Sequence, residues 1–165
     1  MIDHPDWCEL DPSSWLVLDA ATEPEVSRQA SAVRGQGPFV AVVRGWRMRT
    51  AAGLHQEFAA ALQFPAYYGM NWNALDDCLQ DLSWLGGHGL VLVVTRAGEV
   101  LIDEDLEAEV LWETLMYVRE AWRHPVEQHF GRSEPAPWTV VLQDEQDVLD
   151  RLVESSESLS RALGR

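Results

Sequence analysis

Three short runs of aliphatic and β-branched residues mark the chain: Phe39-Val40-Ala41-Val42-Val43, Leu90-Val91-Leu92-Val93-Val94 and Trp138-Thr139-Val140-Val141-Leu142. None alternates apolar with polar residues, so each predicts a strand covered on both faces. Between them the apolar positions change to helical spacing. Leu54, Phe58, Ala61 and Leu62 follow a capping Thr50 and stop before Pro65, and Leu75, Cys78, Leu79 and Leu82 follow a capping Asn71. Leu111, Leu115, Val118 and Trp122 make a third stripe that ends near Pro125, preceded by an acidic, partly helical stretch from Glu99 to Glu109. The tail predicts a helix that turns Val148, Leu149, Leu152, Val153, Leu159 and Leu163 inward. Strands joined by helical crossovers pair in parallel, so the pattern predicts a small parallel sheet in an α/β domain.

The first 37 residues fit this rhythm less well. They mix Asp, Pro, Ser and Gly around one apolar run, Trp15-Leu16-Val17-Leu18, which is either a short strand or a docked arm. Arg34-Gly35-Gln36-Gly37-Pro38 has the composition of a turn and sets a boundary. A chain of 165 residues suits one domain with a sizeable core.

No run approaches the length of a membrane span, and Met1-Ile2-Asp3-His4-Pro5-Asp6 is acidic where a signal peptide is basic. The expectation is a cytoplasmic protein with no membrane contact. Two cysteines, Cys8 in a polar stretch and Cys78 among leucines, give no disulfide framework, and Cys78 reads as a packed thiol.

Charge changes the picture. Asp and Glu number 27 against 12 basic residues, all arginine, for a net charge of −15. Such a surface cannot track phosphates, which disfavours nucleic acid. It favours a basic partner, unless it serves only solubility.

The richest segment is Phe64-Pro65-Ala66-Tyr67-Tyr68-Gly69-Met70-Asn71-Trp72-Asn73-Ala74-Leu75-Asp76-Asp77-Cys78-Leu79-Gln80-Asp81-Leu82. With its leucine stripe buried, Asn73, Asp77 and Gln80 fall on the opposite side of the helix, flanked by Asp76 and Asp81. No Lys or Arg occurs between Arg49 and Arg96, so these carboxylates have no cation close in sequence, and Glu57 adds to the deficit. Tyr67, Tyr68 and Trp72 crowd the helix entry. Aromatics beside fixed carboxylates are what a protein-docking surface requires, although some of the rings, Tyr68 among them, suit the core.

The order Phe-Pro-x-Tyr-Tyr-Gly-x-Asn-Trp-x-Ala-Leu-x-Asp-Cys-Leu resembles the signature of the barstar family of ribonuclease inhibitors, and the order of elements matches over about residues 38–145. The resemblance implies a three-stranded parallel sheet packed by helices, with 1–37 as an N-terminal extension and 146–165 as a C-terminal helix packed on the same domain. It also implies an inhibitor, not an enzyme, that inserts the motif helix and preceding loop into the basic active site of a ribonuclease or toxin domain as a 1:1 complex. By position it places Tyr67, Asn71, Trp72, Asn73, Asp76 and Asp77 on the contact surface, beside the ridge residue Gln80. Asp77 takes the family's key carboxylate position, and Glu120 in Val118-Arg119-Glu120-Ala121 matches a further acidic contact. Asn73 stands where the best-known member has aspartate and Asp76 where it has tryptophan, which leaves open an immunity protein of the same fold directed at a toxin of another chemistry.

An enzymatic reading finds little support in the residues. His4, His55, His88, His124 and His129 form no metal-spaced set, and no cofactor or metal is expected. The chain has no GxSxG and no phosphate-cradling glycine loop, and adjacent Asp76 and Asp77 point apart on a helix.

Overall fold

The computed structural model describes residues 7, 14–86, 88–125 and 134–165. Cys8, His4 and His129 lie outside them. The elements run β1 (Leu16–Asp19), α1 (Glu23–Val33), β2 (Phe39–Arg44), α2 (Ala51–Ala61), α3 (Trp72–Asp81), β3 (Leu90–Thr95), α4 (Asp105–Arg123), β4 (Trp138–Gln143), α5 (Gln146–Ser155) and α6 (Glu157–Ala162). The three apolar runs are strands, and β3 and β4 are buried along their whole length.

The expected three-stranded sheet has a fourth strand. All pairings are parallel, in the order β1-β4-β3-β2. The Trp15–Leu18 run supplies it, with Leu16 opposite Val140 and Leu18 opposite Leu142. The physical reason lies in β4, which is buried throughout and would otherwise present an unpaired edge. The same segment covers the second face of the sheet. Trp7, Ala21, Val26 and Ala30 pack on Val40, Val91, Val93 and Val141, while the larger core on the opposite face gathers α2 to α6.

The tail also departs from expectation. It breaks into α5 and α6 at Ser156, whose hydroxyl accepts from the Leu159 N–H (3.1 Å) and donates to Glu109 on α4 (2.7 Å). Thr50 and Asn71 cap α2 and α3 as read, accepting from the Gly53 N–H (3.2 Å) and the Ala74 N–H (2.9 Å). Among the described residues no helix is long and apolar enough to cross a membrane.

Candidate functional site

α3 is anchored along one side and open along the other. Leu75, Cys78, Leu79 and Leu82 are buried, and burial pushes the Cys78 thiol pKa up, helped by Asp77 and Asp81. This is a packed sulfur, not a nucleophile. Two indole N–H groups fix the helix to its neighbour: Trp72 donates to Glu107 Oε2 on α4 (2.6 Å), and Trp122 on α4 donates to the Leu79 carbonyl (2.9 Å). The start of α3 therefore lies by the start of α4 and its end by the end of α4, so the two helices run side by side in the same direction.

Beneath the loop that enters α3 lies an aromatic foundation. Buried His55 of α2 has its Nδ1 2.5 Å from the Tyr68 hydroxyl and meets the Trp72 ring edge-on. Phe64 contacts Tyr68 and Trp84 edge-on, and Trp84 donates to the Leu62 carbonyl (2.9 Å). Burial lowers the His55 pKa, opposed by Glu107, and burial raises that of the Tyr68 phenol. A neutral imidazole and an un-ionised phenol can share one hydrogen bond without stranding charge in the interior. Tyr68 thus serves the core side of the loop, whereas Tyr67 points out at 81% exposure. The sequence singled out His55 only as one of five histidines without metal spacing; the structure buries it with Leu54, Phe58 and Leu62 on the inward side of α2.

The polar ridge divides into engaged and free groups. Asn71 is exposed, but its amide is used locally, accepting from Ala74 and donating to the Gly69 carbonyl (3.2 Å). Trp72 is half-buried, and Asn73 is exposed. Asp76 is half-buried: Oδ2 accepts from Gln80 Nε2 (3.0 Å), while Oδ1 is buried with no hydrogen-bond partner. Burial raises its pKa, the Gln80 hydrogen bond opposes this, and Asp77 adds to it. Asp81 accepts from the Ser83 N–H (3.2 Å). Asp77 is exposed and, among the described residues, has neither a hydrogen-bond nor an ion-pair partner.

Two acidic residues differ from this. Glu57, counted in the sequence as part of the uncompensated charge, is buried and paired with Arg44. It accepts from the Arg44 backbone N–H (3.1 Å), Nε (2.7 Å) and Nη2 (3.2 Å), a partner that a local window could not see because it comes from the neighbouring strand β2. Glu120 is exposed on α4, but Arg119 Nη1 lies 2.6 Å away, Arg123 Nη1 3.8 Å and His124 Nε2 3.9 Å. Its charge is compensated within the chain. Among the described residues no group of three His, Cys, Asp or Glu side chains could hold a metal ion.

The arrangement can offer an anionic helix, held against its neighbour by two indole hydrogen bonds, to a cation. The fold is similar to that of the Aeropyrum pernix ORC2 protein in its ADP form, with a TM-score of 0.54 at 12% identity over 88% of this chain. The chain spans only 39% of the length of that protein, and at this identity the likeness concerns fold alone. The β1–α1 turn, a usual phosphate site in parallel α/β sheets, here reads Asp19-Ala20-Ala21-Thr22-Glu23 without a glycine. Glu25 already accepts from the Thr22 N–H (2.9 Å), and with Glu23 it would repel an anion. No curated protein matches the chain. The family model for barstar, the barnase inhibitor, matches residues 39–143, from the first residue of β2 to the last of β4, and the chain belongs to the barstar family.

Proposed function

We propose that this protein inhibits a cationic ribonuclease by seating the α3 crest and its entry loop in the enzyme's active site, one molecule to one, and that it performs no catalysis itself. The observation that carries the reading is Asp77, an exposed carboxylate without a partner on a helix pinned at both ends. A ribonuclease pocket gathers Arg, Lys and His to hold phosphate, and a carboxylate already fixed in place can replace that phosphate at little ordering cost. The net charge of −15 steers the encounter, and occlusion stops turnover. Tyr67, Asn73, Asp76 and Gln80 surround Asp77 in this reading. Asn71 and Trp72 hold the crest in shape, and Glu120 contributes little because Arg119 and Arg123 already lie beside it.

Titration into barnase, read by calorimetry and by RNA cleavage, tests this. Wild type should inhibit stoichiometrically. Asp77→Ala should lose about 2–5 kcal/mol of affinity, since a cation in the pocket is left unpaired. Asp81→Ala, whose carboxylate caps the Ser83 N–H at the far end of α3, should lose under about 1 kcal/mol. Equal small losses would refute the orientation.

A second reading, an immunity protein against a toxin of other chemistry, draws on Asn73 and on the half-burial of Asp76. Both reduce the free charge available to a barnase-type pocket. Failure of the wild type to inhibit barnase, with retained binding to a cationic non-ribonuclease toxin domain, would select it.

A further inference from the structure

The core-facing side of α4 is explained by Leu111, Leu115, Val118 and Trp122, all buried, but the helix has apolar residues on its outer side as well. Leu106 is 89% exposed, Val110 36% and Tyr117 63%. At 100° per residue they fall within about 40° of one another, with exposed Glu113 in the same stripe. Single exposed apolar residues are ordinary. Three on one stripe of a helix that has already buried its opposite side form a surface that water covers at a cost.

The stripe continues the α3 crest. The Trp72–Glu107 bond ties the start of α3 to α4 next to Leu106, and the Trp122–Leu79 bond keeps the helices together farther along. Met70, 42% exposed in the loop before Trp72, adds apolar surface at the same end of the pair. Asp105, Glu113 and the crest make the whole surface anionic, and α4 carries no cation before Arg119.

We propose that the outer stripe of α4 is the second half of the docking surface and takes the same basic partner that α3 engages, at an apolar lip beside the partner's cationic pocket. The inference rests on the reading of α3 as the docking crest. A second copy of this chain is the less favourable occupant, because it would bring together two molecules of net charge −15. The division of labour is physical: α3 supplies charge, which governs encounter and register, and α4 supplies dehydrated apolar area, which governs residence time.

The test compares Leu106→Gln/Tyr117→Gln with Asp77→Ala and wild type, using barnase as the probe, stopped-flow association at two salt concentrations, dissociation rates, and sedimentation of the free chain. Both glutamines keep helix propensity at exposed positions, so the melting temperature should be unchanged. The expected result is dissociation at least tenfold faster for the double variant, with association and its salt dependence unchanged, whereas Asp77→Ala weakens both. Wild-type dissociation from the double variant, with Asp77→Ala still impaired, overturns the inference and leaves the inhibitor reading standing. Absence of any binding by wild type overturns both. A wild-type dimer that the double variant dissolves assigns the stripe to self-association and overturns the inference.

Discussion

Asp76 and Asp77 are neighbours in sequence with opposite surroundings. Asp77 extends into water with no partner, whereas Asp76 has one oxygen on Gln80 and the other buried without a hydrogen bond. Half-burial of an ionised carboxylate disfavours folding, and the raised pKa of Asp76 expresses this. A carboxyl whose folded pKa lies above its unfolded value binds more protons when folded. Its stabilising contribution is therefore complete below the unfolded value of 3.8 and is lost as pH rises through the folded value. Asp76→Asn should accordingly melt higher than wild type at pH 7, and the difference should shrink as the pH falls toward 3.8, a pattern that calorimetry across pH can read directly. A difference that does not vary with pH would show that Asp76 carries no ionisation cost. Helical geometry gave the outward side of α3 correctly from the sequence, but it could not separate these two residues. The distinction depends on how deeply each flank of the helix sinks between its neighbours, which no window along the chain contains.

Helix ends and stripes were legible because their causes are local: Thr50 and Asn71 cap the helices they precede, and four apolar residues at helical spacing bury α3. What ties one element to another was not legible. Glu107 looks like one more acid in an acidic stretch, yet it accepts the Trp72 indole N–H and sets α3 against α4. Trp72→Phe keeps most of the ring but removes that donor. A hydrogen bond to a charged group is worth about 1.5–3 kcal/mol, and half-exposure places this one toward the lower end. Denaturant unfolding should show a loss of about 1–2 kcal/mol. Affinity for barnase should fall along with it, because the helix that presents Asp77 is held less firmly. A stability loss with no change in binding would mean that the crest is positioned by its leucines alone. α1 was illegible for the opposite reason. Its inward side is carried by Val26 and Ala30, too small and too few to make a stripe among Glu, Ser, Arg and Gln.

At the scale of the molecule, the family match begins at Phe39, yet the sheet within it is not self-sufficient. β4 would have a bare edge without β1, and Val40, Val91, Val93 and Val141 would face water without Trp7, Ala21, Val26 and Ala30. The lack of apolar–polar alternation in β3 and β4 already required cover on both faces, although nothing in the sequence said which segment would provide it. Burial of each such valine contributes about 1.5–3 kcal/mol, so four of them represent roughly 6–12 kcal/mol, as much as the whole net stability of a typical domain. Removal of residues 1–37 should therefore yield a chain that binds hydrophobic dye, sediments as aggregates and melts without a cooperative transition. A monomeric 38–165 fragment that unfolds cooperatively near the wild-type temperature would show instead that the valine face tolerates water. In the first case the N-terminal segment acts on inhibition only through folding: supplying residues 1–37 as a separate peptide during refolding should restore the cooperative transition and barnase binding together, never one without the other.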